Sequence, residues 1–322
     1  MRVSFLVRAM MSGGLAFATQ ALASEKLSIG LIGSPDSGGW LYYIGAAKGY
    51  FSAVGIEPDF VYVPTAPGLM QQLVAGSVDI VGVDGVVEPI HAVAKGAKVA
   101  ILRMISGTTP YEVIAKPSIT SVKDLVGKTI CIGGLMDINR IYLERLMQAN
   151  GIADGQYDLV IIGNSAQRYA ALQSGSVDAT MLVPPIAFAA EKAGFKNIAM
   201  IKDFAADLPM ASADVGVAWA AAHREITRGF VTAIDRSIAW FYDERNREEA
   251  IDILVDVSHA DRGQVAQTYD FTQKIGMYER DEGVSRTDLQ HLIDGMKSVG
   301  DLEGVTVTPE QLVITEFTPL TR

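Results

Sequence analysis

Strand-like and helix-like stretches alternate along this chain, and one unit of the alternation occurs twice. "AGSVDI" at 75–80 returns as "SGSVDA" at 174–179. Each copy ends a run that reads as a short helix ("PGLMQQLVA" and "AQRYAALQS") and opens a run that reads as a buried strand ("DIVGVD" and "DATMLV"). In both, the glycine suits the left-handed stop of a helix, serine and aspartate suit the connecting turn, and valine suits the start of a strand. Two similar turns arising by chance would explain the shared tetrapeptide. Each copy, however, holds the same place in its own strand-helix-strand series, which points to two units built on one plan.

The first series runs "EKLSIGLIG" (strand), "GGWLYYIGAAKGYF" (helix, stopped by Gly49), "PDFVYVP", "PGLMQQLVAG", "VDIVGVD", "EPIHAVAKG" and "AKVAILRMI". Strands alternating with helices of about ten residues imply right-handed crossovers and a mostly parallel sheet. The rhythm breaks near "TPYEVIAKPSITSVKDLVGK" and restarts with "TICIGG", "INRIYLERLMQANG", "YDLVIIG", "AQRYAALQSG", "VDATMLV", "PIAFAAEKAG" and "NIAMI". "DFAADLPMASADVGVAWA" then carries the chain back, and the segments after it are mainly helical, with single-sided charged faces that suit packing on the first lobe rather than a third, all-helical domain. The expected division is 24–110 for the first part of lobe 1, 111–210 for lobe 2, and 211–322 for the return to lobe 1 and the C-terminal helices.

Residues 1–23 read as a cleavable signal peptide. Arg2 and Arg8 open it, the apolar run "AMMSGGLAFA" follows, and "ALA" at 21–23 precedes Ser24. The apolar run is shorter than the roughly 20 residues that span a bilayer, and Thr19 and Gln20 interrupt it. The expected location is the periplasm. Without the two signal-peptide arginines the chain carries 25 basic against 37 acidic residues, a surface that repels nucleic acid and anionic lipid. The single cysteine, Cys131, excludes an intramolecular disulfide.

In open parallel sheets ligands collect beyond the carboxyl ends of the strands, where helix N-termini point free N–H groups. In the first lobe those points are "GSPDSGGW" (33–40), "PTAPG" (64–68) and Asp84-Gly85; in the second they are "GGLMDIN" (133–139), "GNSAQ" (163–167) and "VPP" (183–185). Gly38-Gly39 and Gly133-Gly134 allow close backbone approach. Trp40, Tyr42 and Tyr43 offer either a stacking face or core packing, and Asp84 either a ligand contact or a helix cap. Signals for catalysis are poor. His91, His223, His259 and His291 lack metal-ligand spacing, and "GKT" at 127–129 has Val122 where a phosphate loop needs glycine. "GNSAQ" lacks the closing glycine of a nucleophile elbow. Cys131 lies in an apolar strand and reads as an inert thiol. No metal, cofactor or catalytic residue is expected.

In order, "GAAKGYFSAVGIEPDF", "LVAGSVDIVGVDG", "SVKDLVGKTICIGG" and "YAALQSGSVDATMLVPP" resemble the extracytoplasmic solute-binding proteins of ABC importers, in the group that binds nitrate, taurine, alkanesulfonates or pyrimidine precursors of thiamine. The resemblance spans nearly the whole chain after residue 23. It implies an α/β, two-lobe periplasmic-binding-protein type II fold, each lobe a mostly parallel sheet flanked by helices, with two hinge crossings. It also implies closure on one small molecule that an ABC permease in the inner membrane then accepts, by a protein expected to act as a monomer and to bind no nucleic acid. By the resemblance the pocket is lined by Ser34, Asp36, Ser37, Gly39, Trp40, Thr65, Ala66, Asp84 and Gly85 of the first lobe, and by Gly134, Leu135, Met136, Asp137, Asn164 and Pro184 of the second.

Asp36, Asp84 and Asp137 all fall at these positions, and desolvated carboxylates oppose a sulfonate. The expected ligand therefore has hydrogen-bond donors or positive charge, as an amino-substituted heterocycle does, unless Arg140 or Arg103 reaches the cleft. An enzyme on the same scaffold is the main alternative, since the eukaryotic synthase of the thiamine pyrimidine and some dehydratases resemble this fold. That synthase carries a cysteine-rich motif and an active-site histidine, which the expected loops here do not. A ligand-sensing component of a membrane receptor is a third class.

Overall fold

The computed structural model describes residues 24–33 and 35–321; the expected signal peptide and the expected pocket residue Ser34 lie outside the described residues. The first series is β1 (Glu25–Ile32), α1 (Trp40–Ala47), β2 (Ile56–Val63), α2 (Ala66–Ala75), β3 (Ile80–Gly85), α3 (Val87–Ala94) and β4 (Val99–Ser106). The second is β5 (Glu112–Ala115), β6 (Thr129–Ile132), α4 (Ile138–Ala149), β7 (Asp158–Ile161), α5 (Ser165–Ser174), β8 (Ala179–Leu182), α6 (Ile186–Lys192) and β9 (Lys196–Met200). There follow β10 (Ala211–Gly216), α7 (Val217–Ala222), α8 (Arg224–Phe241), α9 (Arg247–Ser258), α10 (Arg262–Ile275), β11 (Val284–Ser285), α11 (Arg286–Ser298), α12 (Pro309–Leu312) and β12 (Leu320–Thr321).

The two large sheets share one plan, with strand orders β2-β1-β3-β10-β4 and β7-β6-β8-β5-β9. In each, one strand runs antiparallel to both neighbours, β10 in the first and β5 in the second. Each of these odd strands has just arrived from the other lobe: β5 follows β4 through 107–111, and β10 follows β9 through 201–210. The fold is the expected two-lobe α/β type with two crossings. The crossing strands themselves lie in stretches that read from sequence as a break in rhythm and as a return segment. They are short and almost wholly buried, so no period-two alternation marks them.

The duplicated unit is realised with a constant offset of 99. Thr65 caps α2 by accepting from the Gly68 N–H, and Asn164 caps α5 by accepting from the Gln167 N–H. Both helices stop at a left-handed glycine, Gly76 (φ 74°) and Gly175 (φ 79°), where any residue with a Cβ would be strained. Val78 and Val177 are each buried. The aspartates do more than turn the chain. Asp79 Oδ2 accepts from Ser28 N (2.8 Å) and Ser28 Oγ (2.6 Å) on β1, and Asp178 Oδ2 accepts from Thr129 N (2.9 Å) on β6. Each carboxylate thus stitches the entry of its own strand to the neighbouring parallel strand, and sets that pair's register.

Trp40, Tyr42, Phe230, Phe241 and Ile251 form the core beneath α1, α8 and α9. The C-terminal helices do not all keep to the first lobe. α11 lies against both α3 and α4, and one apolar cluster runs from Val86, Ile90 and Met104 through Leu289, Leu292 and Met296 of α11 to Ile141, Tyr142 and Leu146. On the same side His91 Nε2 meets Asp301 Oδ2 at 2.5 Å. The lobes are therefore joined by the crossings and by a packed helix.

Candidate functional site

A cleft of about 350 Å3 lies between the carboxyl ends of the two sheets. Its first wall is the end of β1 (Leu31, Ile32), Val83 of β3, and the turn Asp36-Gly38-Gly39 leading into α1, with Tyr43 one turn on. Asp36 caps that turn, its Oδ1 accepting from the Gly38 N–H at 2.8 Å. The Tyr278 hydroxyl donates to the Ser37 carbonyl at 2.7 Å and fastens the turn to the C-terminal region. The Asp36 carboxyl faces open cleft, yet the protein crowded around it raises its pKa, against the opposing pull of the Gly38 and Gly39 N–H groups. Gly39 is required here for a different reason from the close ligand approach expected of it: a Cβ would strike the Tyr43 ring.

The second wall is the N-termini of α4 and α5 with Tyr111 from the first crossing. Asp137 caps α4, its Oδ1 accepting from Asn139 N (2.6 Å) and Asn139 Nδ2 (2.5 Å). Asn139 is 3% exposed, and its Oδ1 has no partner among the described residues. Arg168, 2% exposed, is the one guanidinium on the cleft wall among the described residues. It donates from Nε to the Met181 carbonyl (3.1 Å), from Nη1 to the Gly163 carbonyl, and from Nη2 to Ser165 Oγ (3.0 Å). Of five N–H donors, two are left unassigned among the described residues. Burial raises the Tyr111 hydroxyl pKa, and Arg168 beside it works the other way. Gly133 lets this wall converge: a Cβ there would lie 2.5 Å from Asp137 Oδ2 and 3.3 Å from both Arg168 Nη1 and the Gly163 carbonyl oxygen.

Of the expected pocket residues, Asp36, Gly39, Asp137 and Asn164 line this cleft, and Asp36, Ser37 and Pro184 line a smaller cavity continuous with it. Others lie elsewhere. Trp40 is fully buried, donates from Nε1 to the Ala250 carbonyl (2.8 Å) and packs edge-on against Phe241 and Tyr269; the first turn of α1 points it into the core. Thr65 spends its hydroxyl on the α2 cap and Ala66 begins that helix, and neither lines the cleft. Leu135 and Met136, in the turn after Gly134, are 56% and 53% exposed. Asp84 and Gly85 close β3 behind the wall. The Asp84 side chain is fully buried, with Oδ1 accepting from the Gly85 N–H (2.8 Å), and it caps no helix, since α3 starts from Val86 without a side-chain cap. Burial, with Asp214 and Glu88 nearby, drives its pKa well up.

Arg140 and Arg103 do not reach the cleft. Arg140 pairs with Glu144 and Asp154, and Arg103 with Asp235 and the carbonyls of Met104 and Glu279. The cationic group on the wall is Arg168, which sequence reasoning passed over. Its signal is visible afterwards: Arg168 and Leu172 are the buried residues of α5, an arginine one turn from a leucine on the apolar face. Tyr111 and Met210 were also missed, whereas Tyr43, Asn139 and Val183 lie in segments marked as candidates without being named as pocket residues. Cys131 is buried in a separate cluster under the second sheet, and the four histidines lie off the cleft walls. Among the described residues no group of three or more His, Cys, Asp or Glu is placed to hold a metal ion.

Residues 39–247 match the family model described as NMT1/THI5 like. The chain belongs to the NMT1/THI5-like family. The match begins at Gly39, in the turn into α1, and takes in the second wall together with Tyr43 and Val83 of the first; Leu31, Ile32 and Asp36 precede it. No curated protein is significantly similar in sequence. Among solved structures, the ligand-binding component of an ABC-type import system from Staphylococcus aureus, with zinc bound, has a TM-score of 0.75 at 15% identity over 91% of this chain and 98% of that one. The alkanesulfonate-binding protein SsuA from Xanthomonas axonopodis pv. citri, bound to MOPS, has a TM-score of 0.71 at 18% identity over 91% and 97%. The periplasmic nitrate-binding protein NrtA from Synechocystis PCC 6803 has a TM-score of 0.64 at 12% identity over 76% and 70%. At these identities the likeness is one of fold, and this family member shares the two-lobe frame with all three.

Proposed function

We propose that this chain is the extracytoplasmic solute-binding protein of an ABC importer, capturing one small polar organic molecule between its lobes and delivering it to a membrane permease, without catalysis. The observation that carries the reading is the polar lining of both cleft walls: Asp36 on one side faces Asp137, Asn139 and Arg168 on the other. A solute spanning the walls would satisfy groups on both and so favour the closed arrangement over the open one. Family membership and the fold shared with import proteins support the same reading. A nucleophile-base pair is not part of the lining, which fits capture better than conversion.

The lining also bears on the solute. Asp84 is behind the wall and Arg168 is on it, so the site is mixed in charge rather than purely acidic. The Asn139 Oδ1 and the free edges of Asp36 and Asp137 ask for donors, and the remaining Arg168 N–H groups ask for an acceptor. An amino-substituted nitrogen heterocycle offers both, whereas a bare anion leaves the acceptors of the site unmatched. Titration of ligand-stripped protein with aminopyrimidines, alkylamines, alkanesulfonates and nitrate tests this. Binding of an aminopyrimidine that is recovered unchanged is expected. Tight binding of taurine or nitrate with none of the heterocycles would overturn the solute class, and recovery of a converted product would overturn the binding role.

A further inference from the structure

Beside the polar chamber lies a second cavity of about 150 Å3, sharing the Asp36–Gly38 turn, Val183 and Met210 with it. Its other walls are chiefly Pro110, Pro184, Phe271 and Met277, with Thr272 of α10 beside them. Thr268, also on its wall, spends its hydroxyl on the Gln264 carbonyl of its own helix (2.9 Å). The annex therefore offers chiefly apolar surface, where the main chamber adds the buried polar groups Asn139 and Arg168. Both walls of the cleft contribute: Pro184 comes from the end of β8, and Phe271 from α10. Phe271 is held edge-on by Phe188 of α6, with ring centroids 5.5 Å apart and planes at 76°. That contact joins α6 of the second lobe to α10, which packs on the first.

We infer that the annex receives an apolar substituent of the captured solute, so that the solute class is amphipathic: a polar head against Arg168 and Asn139, and an alkyl or small carbocyclic tail against Phe271, Met210 and Met277. The inference rests on the solute-capture reading and adds the tail to it. At about 30 Å3 per water-sized group, the annex has room for about five such groups. A tail there touches both walls at once, so its burial favours the closed arrangement together with the head. A solute that is all head leaves the annex hydrated, and gains nothing from Phe271.

The test uses the full chain after residue 23, stripped of carried-over ligand by unfolding and refolding, with methionine methyls labelled with carbon-13. Met210 and Met277 report on the annex, assigned by the variants Met210→Leu and Met277→Leu. Primary n-alkanols from methanol to octanol serve as probes of the annex alone. Saturable shifts of both methyl signals are expected, with apparent affinity rising about fourfold per methylene to a tail of about five carbons and levelling beyond it. Phe271→Ser is expected to flatten that rise, and Phe271→Leu, which restores apolar bulk, to retain most of it. Phe271 is only half-buried, so both variants leave the core untouched. Shifts no larger than those of methionines outside the annex, or an equal chain-length dependence in Phe271→Ser, would overturn the inference. Its failure is distinct from that of the capture reading: polar probes that bind the main chamber while alkanols ignore the annex contradict the tail alone, and an annex that fills in a protein binding none of the polar probes contradicts solute capture alone.

Discussion

Truncating either duplicated aspartate should unlatch one sheet and leave the cleft chemistry in place. In Asp79→Ala, Ser28 loses a charged acceptor for both its N–H (2.8 Å) and its hydroxyl (2.6 Å). Hydrogen bonds to charged groups contribute about 1.5–3 kcal/mol each, and a buried donor left unsatisfied costs about 1–3 kcal/mol. Because the Ser28 hydroxyl can turn to solvent or to another acceptor, the net loss should be about 3 kcal/mol. Asp178→Ala removes one backbone acceptor, for Thr129, and the partly exposed pair with Lys116, which adds at most about 1 kcal/mol, so its loss should be about 2 kcal/mol. Urea denaturation at pH 7 should show lower midpoints with unchanged slope, and solute affinity should be preserved. The pH dependence separates the two causes in Asp178. Burial pushes its pKa up, but the Lys116 ammonium and the Thr129 N–H outweigh it, and the net shift is downward. With the folded pKa below the unfolded value of about 3.9, the contribution is present above about pH 4 and disappears as pH falls through the folded pKa. The gap between native protein and Asp178→Ala should therefore close in acid. A loss under about 1 kcal/mol in both variants, or lost solute binding with unchanged stability, would refute the stitching role.

Arg168→Met should weaken solute binding by at least tenfold and lower stability by about 2–4 kcal/mol, since it strands the Gly163 and Met181 carbonyls that the guanidinium holds; calorimetry and denaturation report the two separately. Trp40→Phe should cost about 1–3 kcal/mol of stability and leave affinity unchanged, because the indole serves the core and the Ala250 carbonyl. The Asp214 carboxyl, fully buried, has its pKa pushed up to about 8 chiefly by burial. Its folded pKa lies above the unfolded one, so the folded state takes up a proton between them and stability should fall as pH rises from about 4 to 8; denaturation midpoints at pH 5, 6.5 and 8 should show that fall, and Asp214→Asn should reduce it.

The two-lobe plan was legible because it is written locally. Helix stops, caps and strand entries in 65–79 and 164–178 repeat with one offset, and each signal lies within a few residues of its effect. Two parts of the fold were not local. The crossing strands β5 and β10 are defined by the sheet that receives them; Glu112, for example, is 2% exposed and meets Asn197 Nδ2 at 2.6 Å, a partner 85 residues away. α11 carries an apolar face that suits either lobe, and only tertiary packing places it between both. The site divides in the same manner. Asp36, Gly39, Asp137 and Asn164 sit at helix starts after strands, where the topology itself points inward. Trp40 shares that segment but the helical turn sends it the other way, and Asp84 ends its strand opposite Ser212 of β10, a strand that arrives from beyond the second lobe. Arg168 and Tyr111 came to the wall from a helix face and a crossing whose orientation no spacing in the sequence reveals.

The measurement that bears most directly on solute capture is calorimetric titration of the refolded, ligand-free protein with aminopyrimidines, amines, sulfonates and nitrate, paired with mass spectrometry of the recovered solute and repeated on Arg168→Met. One-site binding by a compound returned unchanged, weakened at least tenfold in the variant, is the predicted result. Chemical conversion of the compound, or binding that ignores Arg168, would contradict it.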